Sequence, residues 1–368
     1  MAKTAPKRLY LIPVLSKALD ILELLQADNQ PQSLEWIYDQ TNISKTTVYR
    51  ILKTLVHRGY LAQTQEGLYR VVSRPRKSRF GFGSQSADMP FSQDVEKSLR
   101  AAAASAGVDV TVLDNHYDAS VALRNADEFV RQRVDLVIEF QIDQHIAPVI
   151  ADKIHGAGIP LIAIDIPHPH ATFFGVDNYR VGFEAGEYLA HHAKSEWAGK
   201  VSWVLGLDIE EAGPLVQSRI SGAFAGIRGK LPQITPDKFV IFDGQGMRDK
   251  SRRLVMEFMR AHPKDRGILI AAATDTSALG AVEAVREVKR DKTVAIVGQD
   301  CIDEALQEMR VPGTPLIASV SHEAVSYGPR LIHLGLSLLN GQTVPPYNYI
   351  EHKLVTASSL PKQAKAAK

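Results

Sequence analysis

The sequence predicts an α/β chain with a small helical head and a larger body of two parallel-sheet lobes. Three observations carry this. Over about 280 residues short apolar runs alternate with amphipathic helical stretches, the first 72 residues follow helical spacing and then a hairpin pattern, and charge divides between the two regions. The 368 residues carry a formal net charge of only +2, with 45% hydrophobic and 23% charged residues. That globular composition excludes a mostly disordered or fibrous chain. The near-neutral total hides an asymmetry. Residues 1–80 hold 13 Lys and Arg against 6 Asp and Glu, whereas the other 288 hold 30 against 35. A basic head on an acidic body is expected where one end meets a polyanion; a solvated basic tail gives the same count, and the head's pattern decides between them.

The head reads in order. Leu15, Ala18, Leu19, Leu22 and Leu25 recur at helical spacing and predict a first helix ending near Asp28–Pro31. Ser33 is placed to cap a second short helix that includes Trp36 and runs through Asp39. Asn42-Ile43 makes a turn, and Ser44 is expected to cap a third helix with Val48, Ile51, Leu52, Leu55 and Val56 on its core face. After Gly59, Tyr60–Gln63 and Leu68–Val72 flank Gln65-Glu66-Gly67 and read as a hairpin. Helix, helix, turn, helix, hairpin is a winged helix-turn-helix layout, whose third helix enters a major groove while the hairpin lies along the backbone.

The stretch Ser44-Lys-Thr-Thr-Val-Tyr-Arg-Ile-Leu-Lys-Thr-Leu-Val-His-Arg-Gly59-Tyr-Leu resembles the recognition helix and wing start of IclR-type bacterial regulators, over roughly the first 70 residues. The resemblance implies DNA contacts at Lys45, Thr46, Thr47 and Arg50, with Tyr49 and Lys53 touching phosphate or packing beside it. A solvated helix face is the plainer reading of each. The domain is expected over 1–72, followed by a basic, Pro-containing linker over 73–78.

From Arg79 the expected strands are Arg79–Gly83, Asp109–Leu113, Leu136–Phe140, Pro160–Ile164, Val201–Leu205, Phe239–Phe242, Gly267–Ala272, Val294–Val297 and Leu316–Val320. Helical stretches lie between most of them, at Phe91–Ala106, Ala119–Gln132, Tyr179–Ser195, Gln217–Lys230 and Thr276–Val288. This rhythm means parallel sheets covered by helices, and its length favours two lobes over one. Ligands of such sheets sit beyond the strands' carboxyl ends. Polar residues gather there: Gln141 and Asp143, Asp165, Thr274-Asp275, Gln299-Asp300 and Ser321-His322-Glu323. Asp275 is also placed to do no more than cap a helix.

The landmarks Met89-Pro-Phe91, Gly158–Asp165, Phe174–Gly182 with Ala185-Gly186, Arg219–Gly222, Ala273–Gly280 and Ile296–Asp300 resemble, in order, the type I periplasmic binding proteins, the fold of ribose-binding protein and of lactose-repressor (LacI-like) sensor domains. The resemblance implies a ligand-binding domain over 79–359. Lobe 1 takes about 79–176 and 323–350, and lobe 2 about 177–322 and 351–359, with a flexible tail at 360–368. It implies Phe91 as an apolar wall for a sugar ring and Asp165 and Asp300 as hydroxyl acceptors. Arg219 becomes the hinge-side donor, Thr274 or Asp275 the far-lobe contact, and His322 or Glu323 the contact at the third crossover. Many relatives carry Asp-Arg where this chain has Asp165-Ile166; His168 or His170 of the following Pro-His-Pro-His run is expected to replace that missing donor.

Other signals are set aside. His168 and His170 have no third ligand nearby, so no metal is expected. Gly81-Phe-Gly83 lacks the third glycine of a dinucleotide fingerprint, a phosphate-binding loop is missing, and no nucleophile–base pair has local motif support, so neither cofactor nor catalytic residues are expected. Cys301 alone cannot close an internal disulfide. The run Leu9–Leu15 contains Pro13 and gives way to Lys17 and Asp20 with no small-residue cleavage site, so it does not read as a secretory segment, and no run is long enough to span a bilayer. The expectation is a cytoplasmic, non-enzymatic, ligand-responsive transcription regulator, homodimeric or larger, that partners operator DNA and a monosaccharide or polyol, with no membrane partner. A transporter's solute-binding receptor without a DNA role is the alternative.

Overall fold

The computed structural model describes residues 12–28, 30–64, 66–72 and 77–360. The basic residues Lys3, Lys7 and Arg8, most of the expected linker and nearly all of the expected tail lie outside these. The chain divides into two compact units, Met1–Lys77 and Ser78–Lys368.

The head comprises α1 (Pro13–Asp28), α2 (Leu34–Gln40), α3 (Lys45–His57) and an antiparallel hairpin of β1 (Leu61–Gln63) and β2 (Tyr69–Val71). Its core is small: Ile21, Leu25, Ile37, Ile43, Val48, Ile51, Leu52, Leu61 and Tyr69. Ser33 caps α2 as expected, accepting from the Trp36 amide at 3.1 Å. Two expectations fail. The expected stripe of α1 holds at Leu25, buried beside Ile21, and at Ala18 and Leu22, which pack against the core, but fails at Leu15 and Leu19, 53% and 48% exposed, because apolar residues surround much of this helix and periodicity alone does not choose between adjacent stripes. Ser44 makes no side-chain cap; its hydroxyl lies 2.8 Å from that of Thr47 instead.

The body begins with β3 (Arg79–Ser84), α4 (Pro90–Ala106), β4 (Asp109–Asp114), α5 (Ala119–Gln132), β5 (Leu136–Glu139), α6 (Ala147–Gly156), β6 (Leu161–Ile164) and β7 (Thr172–Gly175). It crosses into α7 (Asn178–Trp197), β8 (Trp203–Asp208), α8 (Gly213–Lys230), β9 (Phe239–Asp243), α9 (Arg248–Ala261), β10 (Ile268–Ala272), α10 (Asp275–Glu287), β11 (Val294–Asp300), α11 (Asp303–Glu308) and β12 (Leu316–Ser321). It returns for α12 (Ala324–Leu339) and β13 (Tyr347–Tyr349), then crosses again to β14 (Lys353–Thr356). Strands β7, β13 and β14 and helices α6, α9, α11 and α12 were not among the expected elements.

Two six-stranded sheets result, ordered β13-β7-β6-β5-β3-β4 and β14-β12-β11-β10-β8-β9, parallel except where β14 pairs with β12. Each repeats the same doubly wound order, which reverses direction between β3 and β5 in one lobe and between β8 and β10 in the other. Crevices at such reversals hold ligands. The central strands β5, β6 and β10 are buried at every residue, which explains their continuous apolar runs. Gly81 and Gly83 belong to this packing: a Cβ on Gly81 would meet the Phe129 ring, and one on Gly83 the Glu139 carboxyl. The contact of α7 with α8 is closer still. A Cβ on Gly182 would overlap the Arg219 carbonyl, and one on Gly222 the Tyr179 carbonyl. Helix backbones that approach this closely fix where Arg219 stands.

Candidate functional site

The cleft between the lobes encloses a cavity of about 50 Å³. Its polar lining is Gln85, Tyr117, Gln141, Asp165, Arg219, Thr274, Thr276 and Asp300, and its apolar lining includes Phe91, Phe140, Ile142, Ile166, Ile209 and Val216. Gln85, Gln141 and Ile209 follow β3, β5 and β8, and Thr274 follows β10, so both topological reversals contribute.

Arg219 is buried and organises the floor. Its Nε donates to Asn178 Oδ1 at 2.6 Å, one terminal nitrogen donates to the Ala273 carbonyl at 3.0 Å, and the other lies 3.5 Å from Asp165. Asn178 opens α7, just behind the cap in which Asp177 accepts the Arg180 amide. Asp165 sits at φ 60 after β6, and its Oδ1 is buried with no hydrogen-bond partner. Burial raises its pKa, and the nearby Arg219 charge opposes the rise. On the other wall Asp300 is raised well above the ordinary carboxyl range by burial, then by the neighbouring Asp275.

Behind Asp300 stands His322, fully buried. Its Nε2 lies 2.9 Å from Gln299 Oε1, and its Nδ1 lies 3.3 Å from Asp300 without hydrogen-bond alignment. Burial, then the Arg219 charge, pushes the imidazole well below its usual pKa. The ring also packs edge-on against Phe91, with centroids 5.8 Å apart, and Phe91 meets Phe140 and Tyr327 the same way. A neutral imidazole thus backs an aromatic wall.

Of the residues singled out from the sequence, Phe91, Gln141, Asp165, Arg219, Thr274 and Asp300 line one cavity, with His322 directly behind it. The others stand elsewhere. Asp275 turns away, accepting from the Ser319 hydroxyl at 2.7 Å and the Ile302 amide at 3.0 Å; it joins two strand ends, and burial raises its pKa to about 7. The cap of α10 is Thr274, which accepts from the Ser277 amide. His168 is buried off the cavity, with Nδ1 donating to the Ile166 carbonyl at 2.8 Å and burial lowering its pKa to about 4. His170 stacks on His155, centroids 4.7 Å apart, and Glu323 is exposed at the start of α12. The position of the relatives' arginine is therefore taken by apolar Ile166, with no imidazole in its place. Tyr117, Gln85 and Thr276 line the cavity without having been singled out; Gln85 and Tyr117 lie one and three residues beyond a strand, where the strand-end rule would have found them, and Thr276 lies in the first turn of α10.

In the head, Lys45, Thr46 and Thr47 form the first turn of α3, and Tyr49, Arg50 and Lys53 follow on its exposed side. Lys45 pairs with Glu35 of α2 at 2.9 Å. Lys53 donates to Gln63 of β1 at 3.1 Å and lies over the Tyr49 ring. The side chains of Thr46 and Arg50 make no hydrogen bond among the described residues.

Residues 80–343 match the periplasmic binding protein domain. The chain belongs to this family. Residues 14–65 match the IclR helix-turn-helix domain. The resemblances of both parts therefore hold, and the polypeptide joins a helix-turn-helix to a two-lobed binding fold. A curated relative, the D-ribose/D-allose-binding protein of Pseudomonas aeruginosa, is 26% identical over 235 residues, covering 61% of this chain and 70% of the relative. Among solved structures, an ABC transporter solute binding protein from Mycobacterium smegmatis with bound glycerol superposes with a TM-score of 0.70 at 21% identity, covering 79% of this chain and 99% of that one. A periplasmic solute binding protein from Actinobacillus succinogenes with bound D-allose gives 0.67 at 18%, covering 77% and 98%. At these identities the likeness is one of fold. Both matched families are non-enzymatic domains. Among the described residues no helix is long and apolar enough to cross a membrane, and no group of three His, Cys, Asp or Glu is arranged to hold a metal.

Proposed function

We propose that the protein is a ligand-responsive, DNA-binding transcription regulator whose cleft takes a neutral polyhydroxylated molecule, a monosaccharide or polyol. The observation that carries the ligand class is the charge balance of the cavity. Arg219 has each of its three nitrogens placed against Asn178, Ala273 or Asp165, with N–H donors to spare, while Asp165 keeps a buried oxygen unpartnered. An unpaired buried carboxylate oxygen is costly, and a ligand hydroxyl relieves it by donating. An anionic ligand meets the opposite: two carboxyls in the lining and a guanidinium whose charge is already paired with one of them. Phe91 offers an apolar face to the C–H side of a sugar ring. The names of the relatives, which bind D-ribose, D-allose and glycerol, agree with this chemistry.

The N-terminal half of α3, with exposed Lys45, Thr46 and Arg50 and half-buried Thr47, supports a groove-facing role for the head, with Tyr49 and Lys53 beside the phosphates. The protein acts in the cytoplasm as a dimer, placing two heads on adjacent half-sites, and the ligand shifts operator affinity by its unequal affinity for two arrangements. The test is footprinting of the full chain on its own promoter, with thermal shift against D-ribose, D-allose, glycerol, myo-inositol and a sugar phosphate. The expected result is protection that one neutral compound alters and that compound's stabilisation of the body. Tight binding of a sugar phosphate would reject the charge argument, and occupancy indifferent to a bound compound would reject the coupling.

A further inference from the structure

The strands that carry the lobe crossovers, β7, β13, β12 and β14, all lie at one edge of the two sheets, and β4 and β9 form the opposite edge. At that far edge the lobes touch. Tyr117, three residues past β4, donates its hydroxyl to the Gln245 carbonyl, two residues past β9, at 2.9 Å. Nearer the middle, the Gln144 amide donates to the Glu211 carbonyl, also at 2.9 Å. Both contacts are seated on glycine. Gly246 has φ 69, and a Cβ there would lie 2.7 Å from the Tyr117 hydroxyl; Gly213 has φ 82, and a Cβ there would overlap the Gln144 side-chain amide. A Cβ at either position would crowd the lobe 1 side chain that meets it across the cleft.

Each side is braced by contacts within its own lobe. In lobe 2 a single carboxylate oxygen, Asp243 Oδ1, accepts the amides of Glu210 (3.1 Å) and Gln245 (3.2 Å), while Lys250 anchors Oδ2 at 2.7 Å. One side chain therefore sets both receiving turns. In lobe 1 the Tyr117 amide donates to the Gln85 carbonyl at 2.9 Å, and both His116 and Tyr117 adopt left-handed backbone, at φ 51 and 57. Two consecutive non-glycine residues in that region are unfavourable unless surrounding contacts impose them. Those contacts are present: buried Asn115 is fixed by Glu139 at 2.8 Å and by Asn125 at 2.9 Å.

We infer that Tyr117 is a positioning residue, the far-edge half of a two-point clasp that holds the cleft closed. The inference rests on the two-lobed cleft being the ligand site and deepens that reading. A contact at the edge opposite the crossovers is broken outright when the lobes swing apart, so its whole net free energy counts toward the closed form. The clasp also sets how much closure the ligand itself must drive.

The test needs no ligand. Amide hydrogen exchange of the unliganded full chain is followed at Gln144, whose amide is protected only while it meets Glu211 across the cleft. Tyr117→Phe is expected to speed exchange there about fivefold, the effect of one net hydrogen bond, with the β5 and β10 amides unchanged. Gly246→Ala is expected to speed it further. In the Tyr117→Phe background, where no hydroxyl meets the new methyl, Gly246→Ala adds markedly less. Unchanged Gln144 exchange in Tyr117→Phe, or strictly additive effects of the two changes, overturns the clasp. Either result leaves the ligand reading to the thermal-shift panel.

Discussion

The head and the body bury different chemistry. Among the described head residues no Asp, Glu, Lys, Arg or His is buried, and its core is apolar side chains and Tyr69. The body buries Glu139, Asp165, Asp208, Asp275, Arg219, Arg290, His168 and His322. The difference teaches where each unit's sensitivity lies. The head's candidate contacts stay in solvent, so salt tunes them and their removal scarcely affects folding. The cleft's groups are desolvated, so ligand, pH and stability are linked there.

The sharpest way to break this comparison is Arg219→Met. It leaves Asp165 and Asp300 facing each other without a cation, and breaking a buried pair of this kind costs about 3–5 kcal/mol. The body's denaturation midpoint is expected to fall accordingly and ligand stabilisation to vanish; a variant as stable as the parent would mean that the guanidinium is not what balances the cleft. Leu52→Ala, at the centre of the nine-residue head core, is expected to remove about 2–4 kcal/mol from the head. DNA binding should be lost while the body's calorimetric transition stays in place, and a body transition that moved with it would show the units to be energetically coupled.

Glu139→Gln sharpens the pH side. Burial lifts the Glu139 carboxyl from 4.5 to about 8. A raised carboxyl stabilises the fold fully below about pH 4.5 and loses that contribution as pH rises through about 8. The parent should therefore melt progressively lower than Glu139→Gln between pH 5 and pH 9, by a difference on the order of a few kcal/mol; parallel melting curves would contradict the assignment. The smallest effects belong to the head's surface. Arg50→Ala is expected to lower the salt slope of DNA binding by about 0.9, one phosphate's worth, with no change in melting. Glu35→Gln, which frees Lys45 from its partner, should strengthen binding a few-fold at low salt. If both variants leave the salt titration unchanged, this helix face is not the one that meets DNA.

The legibility of each unit follows the same division. The head's third helix was readable because Val48, Ile51 and Leu52 face inward at helical spacing and leave the polar residues outside. Its first helix was readable at Leu25 but misled at Leu15 and Leu19, which are apolar yet exposed, while nothing local marks out the buried Ile21. In the body, the strand-end rule found Asp165, Thr274 and Asp300, but it also selected Asp275, whose carboxylate turns back to Ser319; His168, expected from the resemblance to replace a missing arginine, instead satisfies the Ile166 carbonyl. Strand ends say which loop borders a cleft, and side-chain direction within the loop is fixed by neighbours distant in sequence.

The amino-acid order alone determined the alternation of strands and helices and the winged layout of the head, because hydrophobic period and turn chemistry are local, while the family of each part was legible only through motifs that resemble known proteins. Only the tertiary structure decided which carboxyls share the cavity with Arg219, that Glu139 is buried against Asn115, and that Tyr117 reaches Gln245 across 128 positions of chain. Those depend on desolvation and on close contacts such as that between α7 and α8, which arise only when segments far apart in the chain are packed together.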